Sequence, residues 1–141
     1  MEPRISIVTL GVADFERSWA FYRALGFETD AGPEGPIAFF KTNGTVLAIY
    51  PLAELAADVD PTLPAERSGF SGVTLAHNVR SREAVDRVLS EIEEAGGRIV
   101  KPAQETFWGG YSGYFADPDG HYWEVAFGEG WQFDEQGHLV V

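Results

Sequence analysis

The run Ile5-Ser-Ile-Val-Thr-Leu-Gly-Val12 is rich in β-branched and aliphatic residues and predicts a strand. Asp14 follows where a helix N-cap belongs, and Phe15, Trp19 and Tyr22 recur at spacings that share one helical face. Gly26 is expected to end that helix, because glycine enters the left-handed conformation that closes many helices. Past a loop holding Gly32, Pro33, Gly35 and Pro36, two short runs at 37–41 and 45–50 flank Asn43-Gly44. That dipeptide predicts a hairpin, since both residues accept positive φ. Phe15, Trp19, Tyr22 and Phe27 are assigned to the core.

The pattern then returns in the same order. Val73 to Val79 reads as a strand and Ser81 as a helix cap. Ala84, Val85, Val88, Leu89, Ile92 and Ala95 form an apolar helical stripe that Gly96-Gly97 stops. A short strand is expected at 98–101, and the runs 111–116 and 121–127 flank a turn at Asp119-Gly120. Strand, helix, glycine stop, strand and glycine-turned hairpin therefore occur twice. The implied organisation is one α+β domain over 1–141, with module one at about 4–51, a linker at 52–71, module two at 72–128 and a tail at 129–141. The linker, with Pro61, Pro64 and Gly69, reads as loop with room for one helical turn from Leu52 to Ala57. The tail, with Trp131, Phe133 and a turn at Gly137, is expected to fold back on the body.

Charge narrows the partners. Ten basic residues against 22 acidic ones leave a net charge of −12. Such a surface repels phosphate backbones and anionic membranes, so neither nucleic acid nor a membrane is an expected partner. The absence of cysteine excludes disulfides, thiol nucleophiles and thiolate metal sites. The apolar run Ile5–Val12 is too short for a signal peptide core and leads into Asp14, Glu16 and Arg17, so cytoplasmic residence is the simplest expectation.

Two stretches carry a family likeness. Thr9-Leu-Gly-Val-Ala-Asp14 with Phe21-Tyr-Arg-Ala-Leu-Gly-Phe27 resembles the opening of a vicinal oxygen chelate module. Asp117-Pro-Asp-Gly-His-Tyr-Trp-Glu124 is similar to the closing hairpin of that superfamily, which includes glyoxalases, bleomycin-resistance proteins and dioxygenases. The resemblance implies two βαβββ modules whose curled sheets enclose a cup-shaped site. It also implies four ligand positions in the superfamily's metalloenzymes, one on the first and one on the last strand of each module. Carried over by motif, these positions fall on Ile7, Ala48, Thr74 and Glu124. Ile7 and Ala48 have no donor and Thr74 offers a neutral hydroxyl, so no bound metal and no other cofactor is expected. The family also implies a homodimer.

The candidate site residues follow. Glu124 is expected to share the cup face with Tyr122 and Ala126, while Trp123 and Val125 point to the helix-covered side. A carboxylate placed there must be hydrated, paired or protonated. Its catalytic reading is a general base, and its bland reading a structural hydrogen bond between strands. The stretch from Lys101 to Tyr114 packs Phe107, Trp108, Tyr111 and Tyr114 among three glycines. Glycines let a loop approach a ligand, and aromatic faces stack on planar groups. The bland alternative is a lid filled by its own aromatics. His77 alternates away from the cup and reads as a packing residue, while His121 and His138 carry no motif of their own. No Ser/His/Asp order, phosphate loop or Cys/His cluster is present.

The expected function is binding of a small, largely apolar or aromatic molecule, contacted by Ile7, Ala48, Thr74, Phe107, Trp108, Tyr111, Tyr114 and Tyr122, without a catalytic metal. The alternative is a lyase, isomerase or dioxygenase-like enzyme using Glu124 as base or as a partial metal ligand. A purely structural or dimerisation module is the third class.

Overall fold

In a computed structural model, residues 1–140 are described. They form two compact units, Met1–Ser71 and Gly72–Val141.

In the first unit, β1 (Ile7–Val12) leads into α1 (Phe15–Ala24), followed by β2 (Ala38–Phe40), β3 (Val46–Pro51) and α2 (Leu52–Val59). Asp14 caps α1, its carboxylate accepting the Arg17 backbone N–H at 3.0 Å. The helix closes at Gly26, where φ is +89° and the Phe27 N–H reaches the Tyr22 carbonyl at 3.0 Å. The sheet runs β1-β3-β2, with β1 parallel and β2 antiparallel to β3. Alternation sends Leu10, Val12, Leu47, Ile49, Ala38 and Phe40 to one face, where Tyr22 of α1 lies 5.4 Å from the Phe40 ring. The buried residues of α1 are Ser18, Phe21 and Tyr22, whereas Trp19 is half-buried and donates its indole N–H to the Ala31 carbonyl. The opposite face carries Ile7, Thr9, Gly11, Ala48 and Phe39.

The expected single helical turn after β3 is instead the eight-residue α2. It packs over Gly11, where an added Cβ would stand 2.6 Å from Leu52 Cδ1. Glycine in β1 thus makes room for the helix, and the contact of Leu52 and Leu55 with this position extends it beyond one turn.

The second unit repeats the plan with β4 (Leu75–Asn78), α3 (Arg82–Glu94), β5 (Arg98–Glu105), β6 (Tyr111–Ala116) and β7 (Tyr122–Phe127). Ser81 caps α3 through the Ala84 N–H at 3.1 Å. Gly96, at φ +97°, closes it with the Gly97 N–H on the Ile92 carbonyl, as Gly26 closes α1. Val85, Leu89 and Ile92 are buried, and the sheet runs β4-β7-β6-β5. Phe115 and Trp123 stack at 5.9 Å on the face that carries Val125 and Gly113, which is the helix-covered face because Gly113 lies directly under Leu89.

β5 runs to Glu105 rather than ending at Lys101, with register shifts on either side of Lys101. It is an edge strand, where Pro102 is tolerated because its missing N–H leaves no central ladder bond unmade. In unit one the corresponding strand shrinks to one bridge, Glu28 with Lys41. The tail forms the hairpin β8 (Gln132–Phe133) and β9 (Leu139–Val140). It folds back on unit two, since Trp131 stacks on Trp108 at 5.6 Å and the Arg80 guanidinium lies 4.6 Å from the Phe133 ring centroid. Among the described residues no helix is long and apolar enough to cross a membrane.

Candidate functional site

The register brings three side chains of different chemistry into one row across the sheet of unit two. Glu124 of β7 pairs with Ala76 of β4 on one side and Tyr114 of β6 on the other, and Tyr114 pairs with Lys101 of β5. Direct partners on adjacent strands stand about 4.5–5.5 Å apart, so their side chains meet. Burial, followed by the charge of the Glu124 carboxylate and a hydrogen bond to it, pushes the Tyr114 hydroxyl above its ordinary pKa. The hydroxyl therefore stays protonated at neutral pH and stands in the register position facing the Glu124 carboxylate. The Lys101 ammonium lies 5.8 Å from the Tyr114 ring centroid, within reach of the ring's negative face. This face is opposite the one under α3, and Tyr122, Tyr114 and Glu124 on it are half-buried.

Unit one repeats the geometry without a charged residue. Thr9 pairs with Ala48, and Ala48 with Phe39. In each unit the proposed first-strand position lies two residues before the partner of the last-strand position: Ile7 before Thr9, and Thr74 before Ala76. Ile7 and Thr74 are exposed, while Ala48 is fully buried. As donors these positions do not fit a divalent metal: two lack ligating atoms, one is an exposed neutral hydroxyl, and a single carboxylate is left. Among the described residues no three His, Cys, Asp or Glu side chains gather into a metal-binding group.

A family model described as the Glyoxalase/Bleomycin resistance protein/Dioxygenase superfamily matches residues 4–125. The chain belongs to this superfamily. A solved structure described as a glyoxalase-related enzyme from Fulvimarina pelagi is 35% identical, with a TM-score of 0.86 over 99% of this chain and 98% of that one. A glyoxalase/bleomycin resistance protein/dioxygenase from Nocardioides is 26% identical, at TM-score 0.74 over 97% and 91%. A lactoylglutathione lyase from Agrobacterium tumefaciens is 25% identical, at TM-score 0.69 over 95% and 100%. The superfamily fold is thus the frame in which the row sits.

The aromatic stretch before β6 divides. Tyr114 faces Glu124. Tyr111 lies on the opposite, helix-covered side: its hydroxyl donates to Asp86 of α3 at 2.9 Å, and the Arg82 guanidinium lies 5.5 Å from its ring. Phe107 is fully exposed at the turn closed by the Thr106 N–H on the Gly110 carbonyl. Trp108 rests over Gly110, where a Cβ would stand 1.7 Å from its ring, and stacks on Trp131, which rests over Gly128 in the same way. The structure brings Tyr114, Tyr122 and Glu124 to one sheet face and seats Trp108 with the tail. Sequence reasoning missed Lys101 as a member of the row, because bulges on either side of it hide its facing from a simple alternation count.

His77 pairs with Val125, away from Glu124. It keeps solvent contact, yet burial of its ring pushes its pKa below the usual imidazole value. The native state then binds the proton less readily than the unfolded chain. The resulting stability is fully present above the unfolded pKa of about 6.5 and is lost as pH falls through the lower folded one. His77→Gln is therefore expected to flatten the stability profile on the acid side of that value. Urea unfolding across the weakly acidic range measures it, and an unchanged slope would count against the assignment.

Proposed function

We propose that the chain binds a small, largely apolar or aromatic molecule against the open sheet face of unit two, without needing a divalent metal. The Glu124–Tyr114 pair supplies the polar anchor of the site. The observation that carries this reading is the row itself: one carboxylate facing a phenol, with a cation on the next strand, on a face carrying Ala76, Ala126 and Tyr122. Small-molecule sites combine apolar walls with few polar groups, and this row has that composition. Glu124 is half-buried and keeps contact with solvent, so the carboxylate is tolerated there without a metal.

The test is thermal unfolding of chelator-dialysed protein against a panel of substituted aromatic molecules. A binding member is expected to raise the melting temperature equally before and after chelation. Glu124→Gln and Tyr114→Phe should each weaken that compound about tenfold or more, as expected for loss of a charged hydrogen bond worth roughly 1.5–3 kcal/mol. Stabilisation that appears only when a divalent ion is restored would overturn the metal-free reading.

A second reading, catalysis with Glu124 as general base, is supported by the Fulvimarina pelagi relative, described as an enzyme. Glu124 accepts a proton in that reading, and Tyr114 positions it. Product formation by the wild type and its loss in Glu124→Gln, with binding retained, would favour catalysis over sequestration.

A further inference from the structure

A second concavity lies in unit two, lined by Arg80, Phe127, Gly128, Gly130, Trp131, Gln132 and Phe133, with a volume of about 550 Å³. None of its lining residues belongs to the Glu124–Tyr114–Lys101 row. It is built where the end of β7 meets the tail hairpin, and its walls are three aromatic side chains. Trp131 is held in place from behind, because Trp108 stacks on it at 5.6 Å with 14° between the ring planes. Gly128 admits the Trp131 ring so closely that a Cβ there would stand 2.3 Å from it.

Arg4, Arg82 and Arg87 each pair with a carboxylate, on Glu2, Glu105 and Glu91. Arg80 lies over Phe133, 4.6 Å from the ring centroid, and among the described residues no carboxylate forms a salt bridge with it. Arg80 thus brings a positive charge not engaged in an ion pair to the wall of the cavity. A guanidinium stacked on an aromatic ring keeps its N–H donors free in the ring plane's direction, fixed for bidentate recognition of a carboxylate. A cavity of this size lies within the range of about 300–1,000 Å³ typical of small-molecule sites.

We propose that this pocket is a binding site for a small aryl carboxylate. Arg80 takes the carboxylate, and the planar apolar body lies against Phe127 and Trp131. The Gln132 side chain offers a further amide, and Gly130, with open space where a Cβ would stand, leaves the backbone open to close approach. The site does not depend on the ligand proposed for the Glu124 face.

The test uses the full chain with 2-naphthoate as probe, 2-naphthamide as its neutral counterpart, and calorimetric titration with indole N–H chemical shifts as readouts. Saturable naphthoate binding with a shift of the Trp131 indole resonance is expected, and the amide should bind at least tenfold more weakly. Arg80→Gln should weaken naphthoate at least tenfold, and Arg80→Lys should fall between, because lysine keeps the charge but not the planar fork. Arg4→Gln, which removes a charge already paired to Glu2, should bind as the wild type does. Equal affinity for acid and amide, undiminished affinity in Arg80→Gln with a wild-type melting temperature, or an equal loss in Arg4→Gln would each overturn the proposal.

Discussion

Phe40→Ala is expected to cost about 3–5 kcal/mol of stability, the usual loss for removing a buried phenylalanine ring. Phe40 is fully buried, 5.4 Å from the Tyr22 ring centroid and 6.0 Å from that of Phe27. Its neighbours are rigid rings on α1 and on the turn that closes it, so the vacated space cannot easily collapse. Phe39, next in the same strand, is 47% exposed on the other face. Phe39→Ala should therefore cost under about 1 kcal/mol, as surface substitutions commonly do. Urea unfolding of both variants measures the contrast. Equal losses would contradict the assignment of faces and, with it, the placement of Ala48 beside Phe39.

Gly113→Ala is expected to destabilise by roughly 1–3 kcal/mol, as overpacking of a filled interior does. In a strand interior the same change normally helps, because glycine loses more chain entropy on folding than alanine. Here the new Cβ would stand 2.6 Å from Leu89 Cδ1, 2.9 Å from the Lys101 carbonyl oxygen and 3.0 Å from the Ala103 nitrogen. Leu89 can rotate, but the β5 backbone cannot yield without moving Lys101 out of the row. The variant should thus lose stability and any ligand response together. Unchanged or increased stability in chemical denaturation would show that the sheet accommodates the methyl group.

The fold was legible where local chemistry is decisive. Asp14, Gly26, Ser81 and Gly96-Gly97 announce helix ends because capping and left-handed closure depend on a few adjacent residues. Asn43-Gly44 and Asp119-Gly120 mark hairpins for the same reason. What stayed hidden depends on contacts distant in sequence. The length of α2 follows from Leu52 and Leu55 reaching Gly11, some forty residues earlier. The extension of β5 past Pro102 follows from its place at a sheet edge.

The site was legible in part. Glu124 and Tyr114 emerge from alternation within single strands, but their partnership with each other needs the β6–β7 register. The outward turn of Tyr111 and the union of Trp108 with Trp131 likewise depend on α3 and the tail. Arg80 has no sequence signal, because its place over Phe133 depends on the tail hairpin meeting the end of β4.

The duplicated register supplies the chain with its own blank. Position 48 holds the same node in one sheet that position 124 holds in the other, with Phe39 standing where Tyr114 stands. At these two positions the halves differ by a carboxymethyl group and a phenolic oxygen, on the same pattern of strand pairing. An assay that responds to substitutions at 124 and ignores matched ones at 48 reads chemistry rather than scaffold, and the comparison needs no second protein.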